Sequence, residues 1–414
     1  MNISGEIPHA NLNNINIPLN GRNLIITGKN GSGKTSFLNA FNSKINLHLS
    51  KEIQELNQLK SNIEYFNKIL EENPKGSREN TSAQQTLDQQ YKRLDQIRDG
   101  LTLTFDNQLE YLSSYDEFKA IYVFFDAMRK AEIKEAKTTS SLIDEKNVAQ
   151  LTIKNNTAFN LDNKFEQHLV NIKVNQSLAI TEDHDQEQAD RFQNWFNSFD
   201  NQLKFLFEDN SARLVFYRQN YKFKISLNNR EFDFQKLSSG YLAIFKILAD
   251  LLVRSEFFEL APNELKGIVL IDEIDAHLHI SLQKKILPFF TNLFPFLQFI
   301  VSTHSPFVIT STDKNTVVYD ISSGEFFEDD LSRYSYESVI KGLFHVEIKS
   351  EQLESEIKLI AGVLNNDPNN YVKLREILKN ISPYTKQLDI ESKSFYYKAL
   401  NHLLDNQELG DLDV

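Results

Sequence analysis

Eight residues, GKNGSGKT at 28–35, constrain the fold of this chain more than any other stretch. They match the P-loop pattern in full and stand between an apolar run, NLIIT at 23–27, and a mixed segment that reads as a helix reaching about Asn46. Strand, glycine-rich turn and helix in that order place the turn at the carboxyl end of a strand in an α/β sheet. The glycines let backbone N–H groups approach phosphate oxygens closely, and the helix N-terminus adds its positive end. Gly28, Asn30, Gly31, Ser32, Gly33, Lys34, Thr35 and Ser36 are therefore candidate nucleotide contacts, with Lys34 reaching the β- and γ-phosphates and the Thr35 hydroxyl binding Mg²⁺.

A P-loop leaves the chemistry open, and later motifs narrow it. GIVLIDE, at 267–273, is an apolar strand ending in paired acids. Asp272 suits a carboxylate toward Mg²⁺, and Glu273 a base that orients an attacking water. A second apolar strand, LQFIVST at 297–303, runs directly into His304. LSSGY, at 237–241, opens an apolar run; taken alone, its serines and glycine read as an ordinary helix cap. His277 and His279 are two residues apart and do not share a helix face, so they do not read as a metal pair.

Between these motifs the pattern changes. Leu49, Leu56, Ile63 and Leu70 recur every seven residues, NPKGSREN at 73–80 breaks the series, and Leu87, Leu94 and Leu101 resume it. Two such arms fold back as an antiparallel coiled-coil hairpin, each about 30 Å long. Residues 118–125 read as a buried strand, and 212–234 as antiparallel strands with a turn at LNNR. A helix is expected over 277–293. The fold class is α/β: a mostly parallel sheet plus antiparallel strands, a short coiled-coil hairpin and a helical C-terminal region. The expected divisions are 1–48 (first part of the P-loop body), 49–101 (hairpin), 102–310 (rest of that body) and 311–414 (mainly helical).

Composition removes several classes. No cysteine occurs, which excludes disulfides, thiolate metal sites and cysteine nucleophiles. A net charge of -12 argues against general polyanion binding. Nothing at the start resembles a signal peptide, and the longest apolar runs fall short of the roughly 20 residues that span a bilayer. A cytoplasmic protein with no membrane partner is the expectation.

P-loop, LSSG, IDE and a strand-end histidine, in this order, resemble the ATP-binding-cassette ATPases; IDEIDAHLH and STHSP are similar to the soluble branch containing RecF, the SMC proteins and the OLD-type ATPases. The resemblance implies ATP and Mg²⁺ as ligands. It also implies a homodimer, or a higher even-numbered oligomer, whose heads sandwich ATP between the P-loop of one and the signature of the other. Ser238, Ser239 and Gly240 then contact the γ-phosphate across the interface, and His304 senses it. The signature departs from the family's frequent Leu-Ser-Gly-Gly at Ser239 and Tyr241, and a coupling glutamine expected before it has no evident candidate. Compact heads with short hairpins resemble ATPase subunits of anti-phage systems of the Septu, PARIS and retron types. That implies a sensor and scaffold controlling a separate effector, a nuclease or toxin. The alternative is a RecF-like repair ATPase, with DNA as a partner.

Overall fold

The computed structural model describes residues 1–53, 55–129, 133–136, 147, 161–258, 260–344 and 349–410. It forms two compact units, Met1–Val339 and Ile340–Val414. In chain order the first unit opens with strands β1 (Asn2–Ile7), β2 (Leu12–Pro18) and β3 (Asn23–Thr27), then helices α1 (Lys34–Leu49), α2 (Leu56–Glu72) and α3 (Arg78–Arg98). Next come β4 (Leu101–Thr104), α4 (Gln108–Asp116), β5 (Ala120–Phe125), α5 (Phe165–Thr181), α6 (Gln186–Phe207), the short strands β6 (Arg213–Tyr217), β7 (Lys222–Leu227) and β8 (Arg230–Phe232), and α7 (Ser239–Phe257). It continues through β9 (Lys266–Ile271), α8 (Ile280–Gln283), α9 (Ile286–Leu293), β10 (Leu297–Ser302), α10 (Pro306–Ile309), β11 (Thr316–Asp320) and β12 (Glu325–Phe327).

Six strands make the central sheet in the order β12-β11-β3-β10-β9-β5, all parallel except β12. Leu24–Ile26, Val269–Ile271 and Phe299–Val301 are fully buried, which is why these strands read as continuous apolar runs: a parallel sheet is covered on both faces. Two antiparallel three-stranded sheets, β2-β1-β4 and β6-β7-β8, complete the unit.

Helices α2 and α3 pack on each other through Leu59, Ile63, Leu87, Leu94 and Ile97. The expected seam runs too far at both ends. Leu49 closes α1, while Gly100 (φ 79°) turns the chain so that Leu101 opens β4 on β1. Tyr91 is exposed, its hydroxyl accepting from the Asn67 side chain. The α3 N-terminus is capped by Ser77, and its last carbonyls by the buried Lys44 of α1.

Two further readings are corrected. The boundary at 310/311 falls inside the first unit, because β11 pairs with the P-loop strand β3. The single helix over 277–293 is two short helices: Pro288 has no N–H for the carbonyl of Lys284, and the helix is interrupted there. The stretch at 137–150 lies outside the described residues apart from Asn147. After it, α5 and α6 form a helix pair that the sequence reading did not resolve. The charges of 182–190 mask the apolar face of Ala189, Phe196, Phe199, Leu203 and Leu206 beyond them.

The second unit contains α12 (Glu351–Asn366), α13 (Tyr371–Ile381) and α14 (Ile390–Asp405), which follow α11 (Tyr336–Gly342). Its core joins Ile360, Leu374, Leu378, Ala399 and Leu403.

Candidate nucleotide site

The site lies at the carboxyl ends of β3, β9 and β10, where open parallel sheets place their ligands. Leaving β3, residues 28–33 turn into α1, and Gly33 has φ 96°, a left-handed conformation that glycine adopts without a Cβ clash. Lys29 N–H donates to Ser322 Oγ at 2.8 Å, so the turn after β11 props the loop from behind. Lys34 is buried, its Nζ 3.1 and 3.0 Å from the carbonyl oxygens of Gly28 and Lys29. Burial pulls its pKa down, opposed by the charges of Glu273, Asp272, Asp320 and Asp275.

The Thr35 hydroxyl donates to Asp272 Oδ2 at 2.8 Å, and Ser302 Oγ donates to Asp272 Oδ1. The hydroxyl and the carboxylate assigned to Mg²⁺ are thus already adjacent, with hard oxygen donors of the kind that ion takes. Asp272 is buried and Glu273 exposed. Glu273 N–H donates to Ser302 Oγ at 2.7 Å, and the residue sits at φ 47°. Arg129, just past β5, donates from Nη1 to the Asp272 carbonyl at 2.6 Å and from Nη2 to the Glu273 carbonyl at 2.8 Å.

His304 is half-buried, and its pKa is lowered by desolvation first and the nearby Lys34 charge second, against Asp275, Glu273 and Asp272. Its neighbours are pinned to the acid loop: Thr303 Oγ1 donates to Asp275 and Ser305 Oγ to Gln283 Oε1 at 2.7 Å, while Gln283 Nε2 donates to the Leu278 carbonyl at 2.8 Å. These contacts fix the chain on either side of His304, while burial and the Lys34 charge favour the neutral form of its imidazole.

P-loop, acid pair and His304 therefore converge. The signature does not join them through any hydrogen bond among the described residues. Ser238 is the N-cap of α7 without a side-chain cap bond, and Ser238 and Ser239 are exposed, leaving the first N–H groups of a 19-residue helix facing outward. Gly240 is buried against the His277 carbonyl, 2.8 Å from where a Cβ would stand, so no larger residue fits. Tyr241 stacks on Phe207 of α6, with centroids 4.4 Å apart. Ser302, Ser322, Gln283 and Arg129 were not singled out from sequence. Ser302 had a signal, two residues before His304; Arg129 had none.

Residues 24–310 match the family described as "AAA domain, putative AbiEii toxin, Type IV TA system". The chain belongs to this family. Among curated relatives, it is 38% identical over 109 residues to "Retron Ec83 probable ATPase" of Escherichia coli, covering 25% of this chain and 20% of that protein. It is 38% identical over 93 residues to "Retron Vc95 probable ATPase" of Vibrio cholerae, covering 22% and 18%. Against "Septu protein PtuA" of Bacillus thuringiensis the figures are 31% over 116 residues, 27% and 29%. The chain thus spans less than a third of the length of these relatives. Of solved structures, it is similar to the SMC head domain from Thermotoga maritima (21% identity, TM-score 0.22, 30% of this chain and 41% of that one). It is also similar to an SmcHead bound to the C-winged helix domain of ScpA (14%, TM-score 0.33, 79% and 94%). Both retron relatives are named as probable ATPases, and the matching family is described as an AAA domain. Among the described residues, no helix is long and apolar enough to cross a membrane.

Proposed function

We propose that this chain binds and hydrolyses ATP with Mg²⁺, dimerises around the nucleotide, and uses that cycle to hold or release a separate effector, a nuclease, in bacterial anti-phage defence. The observation that carries the ATPase reading is the contact of Thr35 with Asp272 beside Lys34 and Glu273, which brings cation ligands, phosphate clamp and base to one sheet edge. Mg²⁺, when bound, neutralises charge on the phosphate oxygens. Thr35 and Asp272 would hold it. In this reading Lys34 binds the phosphates, Glu273 accepts a proton from water, and His304 donates toward the γ-phosphate.

The dimer reading is supported by the N-terminus of α7: Ser238 and Ser239 are exposed there and, among the described residues, no side chain caps the helix, which suits a phosphate carried by a second copy. The defence role is supported by the likeness to retron and Septu proteins and by the acidic charge, which suits a protein partner better than DNA. Hydrolysis should require Mg²⁺ and stop on chelation. Glu273→Gln should lower kcat by on the order of 10²- to 10⁴-fold while retaining ATP binding, and should accumulate dimers with ATP, read by light scattering. Turnover near wild type would remove Glu273 as the base. For the defence role, the native protein should copurify with a nuclease, and its deletion should abolish phage restriction; copurification with DNA alone and unchanged restriction would refute it.

A further inference from the structure

We propose that Arg129 is a positioning residue for ATP hydrolysis, fixing the Asp272–Glu273 turn so that the Glu273 carboxylate meets the attacking water; this rests on the reading of Glu273 as the base. Strands β5 and β9 are parallel neighbours with Phe125 opposite Ile271, so the two chains leave the sheet side by side. Asp272 N–H donates to the Phe125 carbonyl at 2.9 Å. Four residues beyond β5, Arg129 reaches back to two successive carbonyls, those of Asp272 and Glu273, at 2.6 and 2.8 Å. Two donors of one rigid fork on adjacent carbonyls fix the peptide plane between them.

That plane needs fixing. Glu273 has a side chain yet sits at φ 47°, a left-handed conformation that costs energy and persists only when its surroundings over-determine it. From the β10 side, Ser302 supplies two restraints, its Oγ to Glu273 N–H at 2.7 Å and its carbonyl to Ile274 N–H at 3.0 Å. Arg129 is the restraint from the β5 side. Its charge also lies among Asp272, Asp275, Glu273 and Asp126, tempering their mutual repulsion in one small turn. A lysine carries the charge but cannot span both carbonyls.

The test compares Arg129→Ala, Arg129→Lys, Glu273→Gln and the Arg129→Ala/Glu273→Gln double variant in steady-state ATP hydrolysis, with nucleotide binding followed by a fluorescent ATP analogue. Arg129→Ala should lower kcat roughly 10- to 100-fold, with KM and nucleotide affinity within about twofold of wild type. Arg129→Lys should recover little of it. Millimolar guanidinium should restore part of kcat in Arg129→Ala and none in Glu273→Gln, and the double variant should be no slower than Glu273→Gln alone. The proposal is overturned if Arg129→Ala turns over like wild type, if it loses affinity rather than kcat, or if the double variant shows the full product of the two losses. Wild-type turnover in Glu273→Gln refutes instead the reading of Glu273, and is scored independently of Arg129→Ala.

Discussion

Single residues here carry their function through what surrounds them. His168 illustrates the stability side: it is completely buried on α5, packed edge-on to Phe257, and neither ring nitrogen has a hydrogen-bond partner among the described residues. Burial lowers its pKa from the ordinary 6.5 to about 4. Between those values the unfolded chain binds a proton that the folded chain refuses, so this group makes stability rise with pH and fall on acidification. Replacing it by leucine should remove that part of the slope. On going from pH 7 to pH 5, wild type should lose about 2 kcal/mol more than His168→Leu in denaturant unfolding. His48, also lowered to about 4, by burial and then by Lys44, is present in both proteins and cancels in the comparison. Parallel losses would show that His168 does not titrate on unfolding. The motif residues were legible because phosphate and Mg²⁺ chemistry demands particular side chains at fixed spacings. Arg129 and Ser302 act on backbone and on other side chains across the sheet, and that adjacency exists only after β5, β9 and β10 pair.

At the scale of elements, the heptad spacing and the break at 73–80 revealed α2, α3 and the turn between them, but not where the outer ends of the pair fall. Their limits are set by Gly100, by β4 pairing on β1 and by a tertiary contact, none of which is periodic. That contact is Lys44, whose Nζ lies 3.2, 2.9 and 2.8 Å from the carbonyls of Gln96, Ile97 and Asp99. It places a positive charge at the negative end of α3 and ties that helix to α1, which begins at the P-loop. Lys44→Met keeps the apolar stem and removes the three bonds. It should cost about 1–3 kcal/mol in global stability, and hydrogen exchange should quicken first in the last turn of α3. Unchanged exchange there would mean that water replaces Lys44 without loss. The α5–α6 pair was missed for the opposite reason: α5 is buried on most of its surface, so no amphipathic period marks it.

For the molecule as a whole, the mostly parallel sense of the sheet was implied by alternating apolar runs and helices, and the structure adds the strand order, with β11 as a neighbour of the P-loop strand. The LSSG turn is the feature whose proposed role depends on a second copy. Its serines are outward, Gly240 is locked on the His277 carbonyl, and Tyr241 is committed to Phe207 within the chain, so only the helix N-terminus remains to be engaged. The most direct measurement mixes Lys34→Ala protein with Ser238→Arg protein and assays ATP hydrolysis. Sites shared between subunits predict that each variant alone is inactive, whereas an equimolar mixture recovers roughly a quarter of wild-type activity, since half the dimers are mixed and each holds one intact site. Full activity in either single variant, or no recovery in mixtures shown to contain mixed dimers, would contradict the shared site.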